Sequence, residues 1–313
     1  MNQKLKSDKL YDVIVIGGGP AGMNSALYAS RKGLDTGIIT FDWGGQTLKT
    51  STIENYIGTK EIEGMDLAEE WKDHMLSYNV DKLGFTKITN IKKEDDIFKL
   101  QTDNNLKFKS KTVIITTGAK KRHLNVPGED KFEGKGISYC ATCDAPLFSD
   151  KEVAIVGGGN SAVEAIVDLG KIAKKIHVIE LLEDYTADEV VLEKIKPYED
   201  KITTHFNHTI KKIKGENNLE KVVLEHKNTK DTKEIELDGI FVEIGLIPNT
   251  SIFKDFVKMN DYNEIITDKL CKTNIDGLFA AGDATNIPYK QVVIAAGQGA
   301  TAALSAYHYL LNS

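Results

Sequence analysis

"YDVIVIGGGPAGMNSALYASRKGLDTGIIT" (11–40) and "KEVAIVGGGNSAVEAIVDLGKIAKKIHVIE" (151–180) align without a gap at an offset of 140 residues. Gly17 falls on Gly157, Gly19 on Gly159, Gly22 on Ala162 and Thr40 on Glu180. Each half opens on a short Val/Ile-rich run, too short for a buried helix and suited to a parallel strand covered on both faces. Each then runs through glycines into a segment with apolar residues three and four apart, and returns to a second apolar strand. Strand, turn, helix, strand is written twice. The glycines suit dinucleotide binding: the first permits a tight turn, the second lets a pyrophosphate approach the backbone, and the third permits close helix packing. Alanine at 162 is an accepted substitute for that third glycine. The helix N-terminus beyond them favours negative phosphates. A single fingerprint is weak evidence. Two in register predict an α/β protein with two Rossmann-like, three-layer nucleotide-binding domains.

The repeat also sets the expected boundaries. Residues 1–121 carry the first fingerprint and end in the strand "KTVIITTGA" (111–119). Residues 122–247 carry the second and close at "GIFVEIGLIPN" (239–249). Residues 248–313 hold the strand "LFAAGD" and then a helix of small residues, suited to packing against another nucleotide-bearing sheet. The simplest assembly returns this last segment to the first domain, so that the second is inserted into it.

With 313 residues there is room for two domains, and a composition 41% hydrophobic and 27% charged is that of a soluble globular protein. A net charge of −6 without a long basic block argues against nucleic acid as a partner. The polar lead-in "KLKSDKL" is no signal peptide, and no apolar run approaches membrane-spanning length, so the expected location is cytoplasmic, with no membrane partner.

Cysteine is scarce, and two of the three lie together in "SYCATCDAPLF" (138–148). A zinc site on Cys140 and Cys143 would need two more ligands, usually a second close pair. Cys271 stands alone as a spare thiol near a strand end, and His205 and His208 of "TTHFNHT" read as strand-edge or turn residues, so no metal is expected. A structural disulfide is out of place in a reducing cytosol. A dithiol that carries electrons is the leading reading. Two dinucleotide sites suit a tightly held flavin and an exchangeable nicotinamide, because a hydride needs a donor and an acceptor. A dithiol beside a flavin can be reduced by it and then exchange with another protein's disulfide. Asp144, next to the second thiol, suits proton transfer better than a standing thiolate; the alternative is a turn or N-cap residue ahead of "APLF".

The chain resembles the low-molecular-weight thioredoxin reductases nearly end to end, in "GGGPAG", "GGQ" (44–46), "IENY" (53–56), "TTGA" (116–119), "CATCD", "GGGNSAVE", "AAGDA" and "AAGQGA". The resemblance implies FAD in the first domain, with its pyrophosphate at Gly17, Gly19 and Gly22. Asp283 would bond the ribityl chain; Gly45, Gln46, Asn55, Thr117, Gly118, Gly282 and Gln291 would lie around the flavin. Gly157, Gly159, Asn160, Ala162 and Glu180 would hold the pyridine nucleotide. Cys143 would be the thiol near the flavin, Cys140 the interchange thiol, and Asp144 the acid. The resemblance further implies a homodimer whose smaller domain rotates about hinges near 120–123 and 246–249.

One departure concerns the electron donor. Where NADPH-linked thioredoxin reductases carry His-Arg-Arg and a further arginine, this chain reads "HVIELLEDYTADEV". Glu180 at the strand end can accept from a free ribose 2′-OH but repels a 2′-phosphate, and no cation offsets it. Two unit charges about 4 Å apart interact by roughly 4 kcal/mol at an effective dielectric of 20. NADH is therefore expected over NADPH. The chain is similar here to the NADH-linked flavoprotein component of alkyl hydroperoxide reductase, in "RKG", "NVPGED" (125–130), "GIFVEIGLIPNT" and "NIPYKQ". That component carries an additional N-terminal thioredoxin-like module. Ten residues precede Tyr11 here, so a separate thioredoxin- or glutaredoxin-like protein is the expected electron acceptor. Thr40 lacks the acid often used for ribose in a first fingerprint. Two alternatives are a reductase fed by ferredoxin or another carrier, which the intact "GGGNSA" opposes, and a non-catalytic flavin redox sensor, which the retained cysteine pair opposes.

Overall fold

A computed structural model describes residues 4–50 and 52–312. The chain forms two units: one from the residues up to Lys120 together with those from Ile247 onward, the other from Lys121–Leu246. In the first unit, parallel strands run in the order Val80–Leu83, Thr36–Ile39, Leu10–Ile16, Lys107–Ile115. Leu278–Ala280 adds in parallel to Lys107–Ile115, and the antiparallel hairpin Ile88–Glu94 and Ile97–Thr102 extends the sheet from that strand's first half. Alternate side chains go to opposite faces, as a pleated strand requires. Val13 and Val15 pack with Ile38, Ile114 and alanines of the helices Pro20–Arg31 and Val292–Leu311. Ile14 and Ile16 pack on the other side with Phe98, Phe108 and Phe253.

The helix of small residues thus packs within its own unit. Ala302, Ala303 and Ala306 reach the fingerprint helix at Ala26 and Ala29 because neither side carries bulk to hold the two apart. The strand placed at 111–119 begins earlier, at Lys107, and stops at Ile115, short of Gly118 with its φ of 64°. The segment 239–249 is two strands, Gly239–Val242 and Leu246–Pro248, separated by Gly245 at φ 88°. Such a left-handed residue interrupts an extended run.

The second unit has five parallel strands in the order Ile137–Ser138, Gly239–Val242, Glu152–Val156, Lys175–Ile179, Ile202–His205. Val153 and Ile155 face the helix Asn160–Gly170 through Ala162, Val163, Ile166 and Leu169. Ala154 and Val156 face a three-stranded antiparallel sheet, His208–Lys214, Lys221–His226 and Thr232–Glu236, through Ile210, Ile213, Val222 and Leu224. The 140-residue repeat persists in register: Val13 pairs with Thr36 as Val153 pairs with Ile176, and Ile16 with Ile39 as Val156 with Ile179.

Candidate active site

Each fingerprint turn leaves its strand in the same way. Gly17 N–H donates to Ile39 O at 2.8 Å and Gly157 N–H to Ile179 O at 3.0 Å. Their φ angles are 113° and 124°, and a Cβ would stand 2.3 Å from Thr116 O or 2.4 Å from Glu243 O. No other residue fits there. Gly19 and Gly159 cap the two helices, and a Cβ on either would meet nothing nearer than 3.9 Å or 3.7 Å. Both turns therefore present bare backbone at a helix N-terminus, an arrangement that suits a pyrophosphate. At the third position the units differ. A Cβ on Gly22 would sit 1.9 Å from Gly17 O, whereas the Ala162 Cβ is accommodated in the second unit and fully buried.

Within the first unit, several residues expected around a flavin come together. Gln46 Nε2 donates to Asp283 Oδ2 at 3.0 Å, and Asn55 Nδ2 to Gln291 Oε1 at 3.4 Å. Gly45 N–H is held by Asp42 Oδ1, and Gly282 N–H by Gln298 Oε1. Thr117 Oγ1, beside Gly118, is buried with no hydrogen-bond partner among the described residues. Burial pushes the Asp283 carboxyl above the usual carboxylate range. A buried carboxyl with so few donors suits a polyhydroxyl chain such as the ribityl of FAD. The residues present fit that group. Thr40 is buried beneath the turn, its hydroxyl donating to Asp42 O and lying 2.6 Å from where a Gly18 Cβ would stand.

The counterpart of Thr40, Glu180, is 8% exposed. Its Oε1 accepts from Leu182 N–H at 2.8 Å, and Oε2 lies 2.7 Å from the position of a Gly158 Cβ. The following loop folds back on that glycine: the N–H groups of Thr186 and Ala187 both donate to Gly158 O. Residues 181–189 include no lysine or arginine. Asn160, expected at the nucleotide, has its side chain engaged with Asp188, donating to Oδ2 and accepting from the backbone N–H, both at 2.9 Å.

Cys140 and Cys143 form a disulfide across the single helical turn Ala141–Asp144. The N–H groups of Cys143 and Asp144 both donate to Cys140 O at 3.1 Å, which closes the turn. Ser138 Oγ donates to Asp144 Oδ2 at 2.6 Å and accepts from Cys140 N–H at 3.1 Å. Asp144 also precedes the short helix 145–148 but makes no side-chain cap bond to it. Three further residues, which the sequence did not single out, hold the turn. Tyr139, next to Cys140, donates from its hydroxyl to Glu129 Oε1 at 2.7 Å and contacts His123 Nδ1 at 2.9 Å. Glu129 also accepts from the N–H groups of Leu124 and Asn125. Glu243, just past the strand Gly239–Val242, accepts from Ala141 N–H at 3.2 Å, and burial raises its carboxyl to about 7.

His205 ends one strand and His208 begins the next. His205 contacts His177 ring to ring, Nε2 to Nδ1 at 3.0 Å, and no metal-binding cluster of His, Cys, Asp or Glu exists among the described residues. Cys271 is buried in the first unit, with its thiol pushed up to about 11 by burial. No helix among the described residues is long and apolar enough to cross a membrane.

Two glycine-turn α/β units in one chain, one of them bearing a disulfide in a Cys-x-x-Cys turn, have the pattern of the pyridine nucleotide-disulphide oxidoreductases. The chain belongs to the pyridine nucleotide-disulphide oxidoreductase family, matched over residues 11–301. It is 43% identical over 303 residues to an NADH dehydrogenase of Bacillus subtilis, an alignment covering 97% of this chain and 59% of that protein. It is 42% identical over 317 residues to a component of the alkyl hydroperoxide reductase of Escherichia coli, covering 99% of this chain and 60% of that one. The chain thus spans about three fifths of these relatives. Among solved structures it is similar to thioredoxin reductase from Streptococcus pyogenes, at 35% identity and TM-score 0.90, covering 98% of this chain and all of that one.

Proposed function

We propose that the protein is an NADH-preferring disulfide reductase that passes electrons through FAD to the Cys140/Cys143 pair and on to a thioredoxin- or glutaredoxin-like protein. In this reading the discontinuous unit holds FAD at Gly17, Gly19 and Gly22, and Lys121–Leu246 holds the pyridine nucleotide at Gly157 and Gly159. FAD supplies the two-electron step between nicotinamide and disulfide. Cys143 would be the sulfur that receives its electrons, and Cys140 the thiol that attacks the partner's disulfide. Asp144, its carboxylate held by the Ser138 hydroxyl, takes and returns the proton of that exchange. The enzyme works as a cytoplasmic homodimer.

The observation that carries the donor preference is Glu180. Its carboxylate lies under the fingerprint at the strand end, and the loop after it holds Glu183, Asp184, Asp188 and Glu189 with no cation. A ribose 2′-OH finds an acceptor there; a 2′-phosphate finds only like charge. The name of the Bacillus subtilis relative, an NADH dehydrogenase, agrees with this reading. The test is anaerobic titration of the purified flavoprotein with NADH and with NADPH, followed by flavin bleaching. NADH is expected to bleach the flavin at lower concentration by about tenfold or more, the equivalent of about 1.4 kcal/mol. Bleaching by NADPH with NADH inert would overturn the preference, and bleaching by neither would point to a ferredoxin-type donor. In Cys140→Ser, flavin reduction survives and disulfide reductase activity is lost.

A further inference from the structure

Glu243 belongs to neither the fingerprint nor the dithiol motif, yet it touches both. Its peptide carbonyl abuts Gly157, where a Cβ would come within 2.4 Å, and its side chain accepts from Ala141 N–H at 3.2 Å. Ala141 follows Cys140 at the first position of the redox turn, where backbone N–H groups have no partner within the helix. In a Cys-x-x-Cys turn such amides commonly favour a thiolate on the first cysteine. Here a carboxyl oxygen has claimed one of them. We propose that Glu243 is a positioning residue for the dithiol: it holds the amide that follows Cys140 and, when ionised, opposes thiolate formation at that sulfur.

The inference rests on the disulfide reductase reading above. Two electrons and one proton break the Cys140–Cys143 bond and leave one thiol and one thiolate; a second proton gives two thiols. The electrons come from the flavin-dependent reaction. A carboxyl beside the turn therefore carries a charge that competes with the new thiolate. The charged groups around it are Lys121, which favours the ionised carboxylate, and Glu164 on the helix Asn160–Gly170, which opposes it. Burial is the largest influence and keeps the acid protonated up to about pH 7. Below that pH Glu243 is a neutral hydrogen-bond acceptor; above it, a negative charge next to Cys140.

The experiment compares wild-type holoenzyme with Glu243→Gln, which keeps an acceptor for Ala141 N–H but cannot ionise. Each is reduced with a phosphine, the phosphine is removed, and iodoacetamide labelling of Cys140 is timed by mass spectrometry from pH 5.5 to 9. One pKa unit changes the thiolate fraction tenfold. Glu243→Gln is expected to label at the wild-type rate at pH 6 and about three- to tenfold faster at pH 8. A variant-to-wild-type ratio that stays flat with pH would overturn the proposal and leave Glu243 a plain structural bond. If the variant does not fold, the wild-type profile decides: two inflections support the proposal and a single one refutes it. Failure of the underlying reading is distinguishable, because then phosphine would leave Cys140 and Cys143 unreactive, or Cys140→Ser would retain disulfide reductase activity.

Discussion

Removing the Glu129 carboxylate tests how the segment entering the second unit is tied to the redox turn. Glu129 is 3% exposed and accepts three hydrogen bonds, each 2.7 Å long, from Leu124 N–H, Asn125 N–H and the Tyr139 hydroxyl. Tyr139 retains His123 Nδ1 as a partner in Glu129→Ala, so its hydroxyl is not orphaned. The two amides lose charge-assisted bonds worth about 1.5–3 kcal/mol each. Asn125 is exposed and Leu124 half-buried, so water recovers part of this, and the lower end applies. The expected loss is about 3 kcal/mol, a fall in urea midpoint of at least about 1 M for slopes of about 1–3 kcal/mol/M. Glu129→Gln offers no full rescue, because its amide donors would face one of the backbone N–H groups; it is expected to lose about 2 kcal/mol. Tyr139→Phe, which gives up only the hydroxyl, costs about 1 kcal/mol. Urea denaturation followed by circular dichroism reads all three. A Glu129→Ala protein within 1 kcal/mol of wild type, or a Glu129→Gln protein equal to it, would refute the reasoning.

Two further outcomes follow from the geometry of the second unit. Gly157→Ala forces a residue with a Cβ into φ 124° and against Glu243 O, so it is expected to abolish bleaching by pyridine nucleotide while the bound-flavin absorbance per protein is unchanged; loss of flavin as well would show that the unit as a whole fails. His205 takes a hydrogen bond at Nδ1 from Lys233 and so donates from Nε2 to His177, an arrangement that protonation of either ring disrupts. Burial lowers the His205 pKa to about 4 and also lowers that of His177, with Lys233, Lys175 and His208 acting in the same direction on His205. Below the ordinary value near 6.5 the unfolded chain binds protons that the folded chain refuses, so stability is expected to fall as pH drops from about 6.5 toward about 4. His205→Leu should flatten that slope in urea titrations at stepped pH.

The α/β class could be read from local sequence because a strand, a glycine turn and a helix N-terminus lie within about a dozen residues, and the same constraints recur 140 residues on. Gly17 and Gly157 are glycine for a reason visible in one dimension: the turn itself demands φ near 120°. The partners of the dithiol are another matter. Glu243 lies 102 residues beyond Ala141 and reaches it because Gly239–Val242 runs parallel between Ile137–Ser138 and Glu152–Val156, which sets the end of that strand beside the redox turn. No spacing rule within the sequence encodes that adjacency. Asn160 teaches the converse. Its place at the first helical position makes it a candidate nucleotide ligand, but the loop 181–189, drawn back by the two amides on Gly158 O, brings Asp188 to occupy its amide. That loop also settles where the charge of the site resides. A chain that used basic residues here would place them on the strand end and on this returning loop; instead both carry acids, Glu180 against Gly158 and Asp188 bonded to Asn160. On the proposed reading the two acids act separably: Glu180 is expected to bear on the 2′ position and hence on NADH against NADPH, whereas Asp188, bonded to Asn160 at the start of the following helix, is expected to weaken both dinucleotides alike.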